Sequence, residues 1–150
     1  MVKALKRTVF VGTFQHSVDE KKRLAIPAKW RAAASGASEF YVLPHPKGHL
    51  LVLTEAEMEK MIDKAEEISI GDYDRRDTLR LIAGNAHGTP CDAQGRISLT
   101  EELLRQAGIT GDAVLVGVLR GFEIWSPSRL AAVTKNTTAN FAESTRQLGI

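Results

Sequence analysis

The stretch Asp92-Ala93-Gln94-Gly95-Arg96 has the composition of a tight turn. Aspartate at the first turn position can accept hydrogen bonds from its own backbone, and glycine at the fourth position tolerates a positive φ. Cys91 precedes the turn, and Ile97-Ser98-Leu99 follows it with the apolar–polar alternation of a strand. The stretch therefore predicts an arginine held on a stiff turn. One copy alone is weak evidence of function, because Asp-x-x-Gly turns are common.

A second copy of the pattern lies 73 residues earlier, at Asp19-Glu20-Lys21-Lys22-Arg23, and Leu24-Ala25-Ile26 follows it as a strand. The same offset aligns Tyr41-Val42-Leu43 with Val114-Leu115-Val116, and an offset of 72 aligns residues 49–54 with 121–126. Two halves therefore share the order turn, strand, helix, strand, strand, helix. Self-similarity of this extent indicates a duplicated structural unit.

Each aspartate of the two turns lies four residues before an arginine. We interpret Asp19 and Asp92 as turn formers that also orient Arg23 and Arg96 through a bidentate contact with the guanidinium. A single surface ion pair of this spacing contributes only ~0–1 kcal/mol to stability. Two copies in matched strand contexts favour a functional role over a solvated charged face.

The chemistry of these side chains favours a nucleic-acid partner. A guanidinium can bind guanine O6 and N7 in a bidentate manner or grip a phosphate. Lys21 and Lys22 add phosphate contacts and a salt-dependent affinity. The predicted DNA-binding residues are therefore Lys21, Lys22, Arg23 and Arg96.

The composition is that of an ordinary globular chain of 150 residues, with 43% hydrophobic and 25% charged residues. The net charge of +2 and the pI near 8.8 favour a polyanionic partner only weakly. With one cysteine no intramolecular disulfide can form. No apolar run approaches the ~20 residues of a membrane span, and the N-terminus lacks a signal-peptide h-region. The expected location is the cytoplasm, without a membrane partner.

The sequence predicts no enzyme, no cofactor and no metal site. The histidines, which are His16, His45, His49 and His87, follow no HExxH or paired-cysteine spacing. His45 and His49 flank a predicted hairpin loop, where a surface position is the simpler interpretation. His87 and Cys91 precede the second turn; strand packing is expected there, with a Cys–His nucleophile pair as the alternative.

Local patterns predict the remaining elements. Strands are expected at 8–11, 39–44, 49–53, 114–118 and 122–125, and residues 13–18 should be extended. Helices are expected from Pro27 to a stop at Gly36, from a capping box at Thr54 and Glu57, from Asp72 to about Ala83, from Thr100 to Gly108, and from Ser126-Pro127. Trp30 should face the core or an interface, and Met58, Met61, Ile62 and Ala65 should line the core. Leu130 and Val133 should be buried, and residues 135–150 partly disordered.

The doubled Asp-x-x-x-Arg pattern resembles the MraZ family of bacterial transcriptional regulators, and each half resembles the AbrB/SpoVT-like swapped-hairpin DNA-binding module. The resemblance covers roughly residues 8 to 134. The second motif, with Gly95, fits the family pattern closely, whereas Lys22 stands where that pattern has glycine. If this position requires a positive φ, lysine costs about 1 kcal/mol or more relative to glycine. The first turn is then expected to be either looser or shaped differently.

The resemblance implies an α+β fold, in which two fused halves form a small pseudo-two-fold β-barrel with peripheral helices. The expected organisation is a first repeat at 8–66, a connecting helix at 67–83, a second repeat at 84–134 and a polar tail at 135–150. It also implies a sequence-specific, nucleoid-associated regulator that binds double-stranded DNA at promoter repeats of division and cell-wall genes, and that forms a ring-shaped homo-oligomer. The alternative is a non-enzymatic assembly protein whose basic loops bind RNA or a protein partner.

Overall fold

The computed structural model describes residues 8–34 and 38–150, which form an α+β fold. Eight strands and six α-helices occur in this part of the chain. In chain order the elements are β1 (Thr13–Ser17), β2 (Arg23–Ala25), α1 (Ala28–Arg31) with a 3-10 turn (Ala32–Ala34), β3 (Phe40–Pro44), β4 (Leu50–Leu53), α2 (Glu55–Glu66), α3 (Tyr73–Asn85), β5 (His87–Thr89), β6 (Arg96–Ser98), α4 (Glu101–Ala107), β7 (Asp112–Gly117), β8 (Gly121–Trp125), α5 (Pro127–Ala139) and α6 (Phe141–Gln147).

The strands form two antiparallel sheets whose pairings interleave the halves. The six-stranded sheet has the order β1-β7-β8-β4-β3-β5, and β2 pairs with β6 in a sheet of two strands. The first strand of each half therefore lies on the third strand of the other half, β1 on β7 and β5 on β3. Only the hairpins β3–β4 and β7–β8 are paired within a half. Each half thus completes its sheet with strands of the other.

The strand registers relate the halves by a pseudo-two-fold axis. The pair Phe14–Leu115 in β1–β7 corresponds, at the offset of 73, to the pair His87–Val42 in β5–β3. In β2–β6, Leu24 pairs with Ile97, its own equivalent. In β4–β8, Leu51 pairs with Glu123, its own equivalent at the offset of 72. The axis therefore passes through these two self-equivalent pairs.

The hydrophobic core draws on both halves. Trp30 of the first half is 1% exposed and stacks on Phe122 of the second at 4.9 Å between ring centroids. Phe10 and Phe40 add edge-on and tilted contacts to the same cluster. Trp30 therefore faces the core. Aromatic pairs of this kind contribute ~0.5–1.5 kcal/mol beyond the area that they bury.

Four of the five predicted helix starts are confirmed by side-chain caps, each of which accepts a hydrogen bond from a first-turn amide, and the fifth, at Pro27, has no side-chain cap. The caps are Thr54 with Glu57 N (3.3 Å), Asp72 with Arg75 N (3.2 Å), Thr100 with Leu103 N (3.1 Å) and Ser126 with Arg129 N (3.2 Å). Gly108 ends α4 with a φ of 66°. Glycine is common at this position because it has no Cβ to strain a left-handed backbone.

Two predicted elements near the N-terminus differ in the structure. Residues 8–11 do not form a strand; Phe10 makes an isolated bridge with Leu119, and the first strand begins at Thr13. The helix after Pro27 ends at Arg31 and tightens into the 3-10 turn. The expected stop at Gly36 lies outside the described residues.

The methionine stripe of α2 does not line the core, because α2 packs on the sheet with no residue fully buried. Met58 and Met61 are half-buried, and Ile62 is 50% exposed. They line a cavity of about 340 Å³ together with Leu79 and Ile82 of α3. Helical periodicity identified an apolar face correctly, but it did not show how fully that face is covered. Leu130 and Val133 of α5 are likewise half-buried.

The expectation of partial disorder at 135–150 is wrong, because α5 continues to Ala139 and α6 follows it. Polar side chains support these helices locally. Thr137 Oγ1 donates to Val133 O at 3.1 Å, and Arg146 pairs with Glu143 at 2.6 Å. A polar sequence is thus compatible with helix when i,i+3 and i,i+4 partners are in place. In the middle of the chain, α3 also runs past the expected boundary at 83/84 to Asn85.

Candidate nucleic-acid interface

The first Asp-to-Arg turn is built by one carboxylate. Asp19 Oδ1 accepts hydrogen bonds from the backbone N–H groups of Lys21 (2.9 Å) and Arg23 (2.8 Å), and Oδ2 accepts one from Arg23 Nε (2.9 Å). The backbone closes with Lys22 N donating to Asp19 O at 3.0 Å and Asp19 N donating to Arg23 O at 2.9 Å. The side chain of Asp19 therefore fixes both the turn and the root of the arginine side chain.

The second turn repeats this geometry bond for bond. Asp92 Oδ1 accepts from Gln94 N (2.9 Å) and Arg96 N (2.9 Å), and Oδ2 accepts from Arg96 Nε (2.8 Å). The φ angles at the fourth position are 62° for Lys22 and 76° for Gly95. The first turn is therefore not reshaped by its lysine. It adopts the left-handed backbone that glycine adopts in the second turn, at a steric cost.

The expected bidentate grip of aspartate on arginine is wrong. One carboxylate oxygen is used by two backbone amides, so that only the other oxygen reaches the guanidinium, through Nε. Within the described part of the chain, the terminal amino groups of Arg23 donate no hydrogen bond to protein. These groups therefore point their donors toward solvent or a partner while Nε anchors the side chain.

The carboxylates of both turns are held in the charged form. The pKa of Asp19 is lowered, first by the hydrogen bond from the backbone N–H of Arg23 and then by its guanidinium. The pKa of Asp92 is lowered in the same way by the backbone and side chain of Arg96. Charge-assisted bonds of this kind are shorter and stronger than neutral ones. Both aspartates are therefore ionised around neutral pH.

The two turns lie side by side across the pseudo-two-fold axis. Each turn is held by a backbone bond from the other half: Ile26 N donates to Gly95 O at 2.9 Å, and Leu99 N donates to Lys22 O at 2.8 Å. The Nη1 atom of Arg96 lies 3.8 Å from Oδ2 of Asp19. The pairing of β2 with β6 thus brings together two motifs that are 73 residues apart in sequence.

The predicted site residues share this one end of the molecule. The side chains of Arg23 and Arg96 are 31% and 25% exposed, so that each is anchored and also accessible. Lys21 is exposed and Lys22 half-buried. The arrangement presents two rigid guanidinium groups with flexible lysines on one side, which suits a polyanion with a regular repeat.

Arg31, which is part of a cluster of basic residues in the sequence but is not among the predicted DNA-binding residues, belongs to this end as well. A Cβ atom at Gly95 would overlap Cζ and Nε of Arg31 and lie 2.6 Å from its Nη1. The guanidinium of Arg31 therefore lies directly on the second turn, and its Nε donates to Ile26 O at 2.7 Å. A second hint in the sequence is that Arg31 breaks the repeat, since its equivalent at the offset of 73 is Leu104.

His87 and Cys91 do not form a nucleophile pair. The Nε2 atom of His87 lies 3.2 Å from Ser98 Oγ, and Ser98 is also bonded to Thr89. Burial raises the pKa of the Cys91 thiol, although the charge of Arg31 opposes the shift. A raised pKa keeps the thiol protonated and weakly nucleophilic. These residues pack β5 against β6, as the simpler interpretation predicts.

His49 is a buried residue, contrary to the surface position expected for it. Its ring is stacked between those of His45 (4.2 Å) and Trp125 (4.1 Å), and its side chain is 3% exposed. Its Nε2 lies 3.1 Å from Glu123 Oε2, within ion-pair range but without hydrogen-bond geometry. Burial lowers the pKa of His49, so that the neutral ring is favoured here.

In residues 8–34 and 38–150, no helix combines the length and the apolar content needed to cross a bilayer.

Comparison with known proteins places the duplicated unit in a family. The family model described as "MraZ protein, putative antitoxin-like" matches the chain twice, at residues 9–81 and 82–149. A protein from Thermomicrobium roseum named "Transcriptional regulator MraZ" is 38% identical over 83% of this chain and 86% of its own length. Proteins of the same name from Oenococcus oeni and Mycobacterium avium are 31% and 33% identical, over 93% and 94% of this chain and 96% and 98% of their own lengths. The chain belongs to the MraZ family.

Proposed function

We propose that this chain is a sequence-specific transcriptional regulator that binds double-stranded DNA through its paired turns. The observation that carries the proposal is the pair of superimposable Asp-to-Arg turns, set side by side with their guanidinium ends accessible. The names of the relatives, which are transcriptional regulators, support the same conclusion.

In this proposal Arg23 and Arg96 make the specific contacts. Asp19 and Asp92 form hydrogen bonds only with Nε, and Nη1 of Arg96 lies 3.8 Å from Asp19, beyond hydrogen-bond distance. The terminal amino groups of each guanidinium are therefore available for guanine O6 and N7 in the major groove. Prior anchoring reduces the conformational entropy lost when the complex forms. Lys21 and Lys22 contact phosphates beside them and contribute affinity without sequence preference.

We further propose that each half is an AbrB/SpoVT-like swapped-hairpin module and that the whole is a small barrel. The exchange of β1 and β5 between halves supports this assignment. The family resemblance adds promoter repeats of division and cell-wall genes as the target, a nucleoid-associated cytoplasmic location, and a ring-shaped homo-oligomer. The half-exposed apolar face between α2 and α3 supports self-association, since soluble monomers rarely leave such faces uncovered.

A gel-shift experiment tests the proposal. The probe is a duplex taken from the region upstream of this protein's own gene, with a scrambled duplex and a single-stranded RNA of the same length as competitors. We expect a shift that the scrambled duplex and the RNA displace poorly. If the scrambled duplex displaces the probe as well as the unlabelled upstream duplex does, sequence-specific DNA binding is refuted; preferential displacement by the RNA would support the alternative partner.

A further inference from the structure

The two turns differ in their three middle residues, and the difference at the fourth position is offset by a residue from another element. In the first turn the fourth position is Lys22, whose side chain adds a cation next to Arg23. In the second turn it is Gly95, which has no side chain. The space above Gly95 is occupied by the guanidinium of Arg31, from α1 of the other half.

The two halves differ both at the fourth position of the turn and at the helix position that Arg31 occupies. The equivalent of Gly95 is Lys22, and the equivalent of Arg31 is Leu104, which is 9% exposed and part of the core. The first turn therefore combines a lysine with a leucine at the equivalent helix position of the other half, and the second turn combines a glycine with an arginine. Either combination supplies one cation in addition to the motif arginine.

The charges of the two turns become equal when Arg31 is included. Residues 19–23 contain two acidic and three basic side chains and carry a net charge of +1. Residues 92–96 contain one of each and carry no net charge. With Arg31 on its surface, the second turn also reaches +1.

The environment of Arg31 keeps its charge available. Its Nε donates to Ile26 O at 2.7 Å, which fixes the guanidinium over the turn, and Ile26 N holds the same turn through Gly95 O. Within residues 8–34 and 38–150, no carboxylate forms an ion pair with Arg31. A half-buried guanidinium without an internal counter-ion, placed against Gly95, the residue before Arg96, is suited to a phosphate.

From this arrangement we infer that Arg31 is a further DNA-binding residue, which contacts a phosphate beside the second turn in the place that Lys22 takes beside the first. The inference rests on the proposed function. It assigns Arg31 to affinity and Arg96 to specificity, because a contact to phosphate carries no sequence information.

The test measures the salt dependence of binding to the upstream duplex with the full chain. Arg31→Leu, which installs the residue of the equivalent position, should lower the slope of log K against log[salt] by about one. The loss of affinity between 50 mM and 200 mM salt should then be about 3.5-fold smaller than for the unmodified chain. Preference over the scrambled duplex should be unchanged. Lys64→Ala, which removes one exposed charge from α2, is the control and should leave the slope as it is.

A double substitution tests the exchange itself. Gly95→Lys alone should lower the melting temperature, because the new side chain meets Arg31. Arg31→Leu with Gly95→Lys recreates at the second turn the lysine–leucine combination of the first turn, and should restore both the slope and most of the melting temperature. Arg31→Lys, which retains the charge but lacks the planar group, should keep the slope and so separates charge from packing.

The outcomes distinguish this inference from the proposed function. An unchanged slope in Arg31→Leu, while Arg96→Ala loses specific binding, would overturn the role of Arg31 alone. Failure of the double substitution to recover the slope in a folded protein would do the same. If the unmodified chain does not prefer the upstream duplex, the proposed function is refuted, and the role of Arg31 with it.

Discussion

Lys22 has a φ of 62° at the position where the second turn has Gly95. A left-handed backbone costs a residue with a side chain roughly 1 kcal/mol, so that this lysine is retained at the expense of stability. The charge at this position offers a physical reason, since it lies beside Arg23 on the surface proposed to meet DNA. Stability and binding should therefore respond in opposite directions to the same change.

Replacement of Lys22 by glycine tests this opposition. Lys22→Gly should raise the free energy of unfolding by several tenths of a kcal/mol, because the strain is relieved but the unfolded chain gains freedom. Binding to all duplexes should weaken alike, with a slope lower by about one. Lys21→Ala is the matched control: it should reproduce the loss of slope without the gain in stability. A Lys22→Gly variant that melts below the parent would contradict the strain argument.

The arginines of the two turns should control specific affinity. Arg23→Ala and Arg96→Ala should each weaken binding to the upstream duplex by ~1–3 kcal/mol, because the contacts to base edges are lost. Titrations by fluorescence anisotropy measure the effect, and circular dichroism confirms that the fold is intact. Arg146→Ala, on α6, provides a variant with the same loss of charge away from the turns. Parental affinity in both turn variants would exclude the turns as the binding element.

At the scale of the element, each turn depends on a carboxylate that must be ionised. Since the folded pKa of Asp19 and of Asp92 lies below the ordinary value of 3.8, their stabilisation is fully present above pH 3.8 and is lost as the pH falls through the lowered pKa. We therefore expect these groups to leave the melting temperature unchanged between pH 7 and 5 and to lower it in more acidic solution. Asp19→Asn combined with Asp92→Asn should reduce this loss of melting temperature in acid. If the double variant loses as much melting temperature in acid as the parent does, other carboxylates determine the acid sensitivity.

Elements were predictable from sequence where the causes are local. The turn residues, the caps at Thr54, Asp72 and Thr100, and the glycine stop of α4 all act within a few positions, and each was found where the pattern indicated. The role of Arg31 was not predictable, because it depends on which half places its helix over which turn. The same reason applies to the Met58 face of α2, since periodicity defines a stripe but not what covers it.

At the scale of the whole molecule, the halves should unfold together. Four of the six strand pairings connect one half with the other, and Trp30 stacks on Phe122 across the same boundary. We expect a single thermal transition, with equal calorimetric and van't Hoff enthalpies. Trp30→Ala should lower the free energy of unfolding by about 3–5 kcal/mol, and the single transition should remain single. Two separate transitions in the parent would indicate halves that fold independently.

The state of association is a second property of the whole molecule. Light scattering at micromolar concentration should give a mass well above the 16.4 kDa of one chain, since the face between α2 and α3 leaves Ile62 half exposed. Because apolar contacts drive this association, raising the salt concentration should not reverse it. A single species of 16.4 kDa at this concentration would exclude the ring.

The self-equivalent pairs Leu24–Ile97 and Leu51–Glu123 are the pairings that two copies of one half-length chain would make in a symmetric dimer. Such a dimer would have exact two-fold symmetry, so that its two turns would be equivalent. Within one chain the halves need not be identical, and Lys22 differs from Gly95 as Arg31 differs from Leu104. The fused molecule is therefore asymmetric. A linear ligand bound across both turns would contact a lysine at one turn and, at the other, a glycine covered by an arginine. The two orientations of that ligand are no longer equivalent.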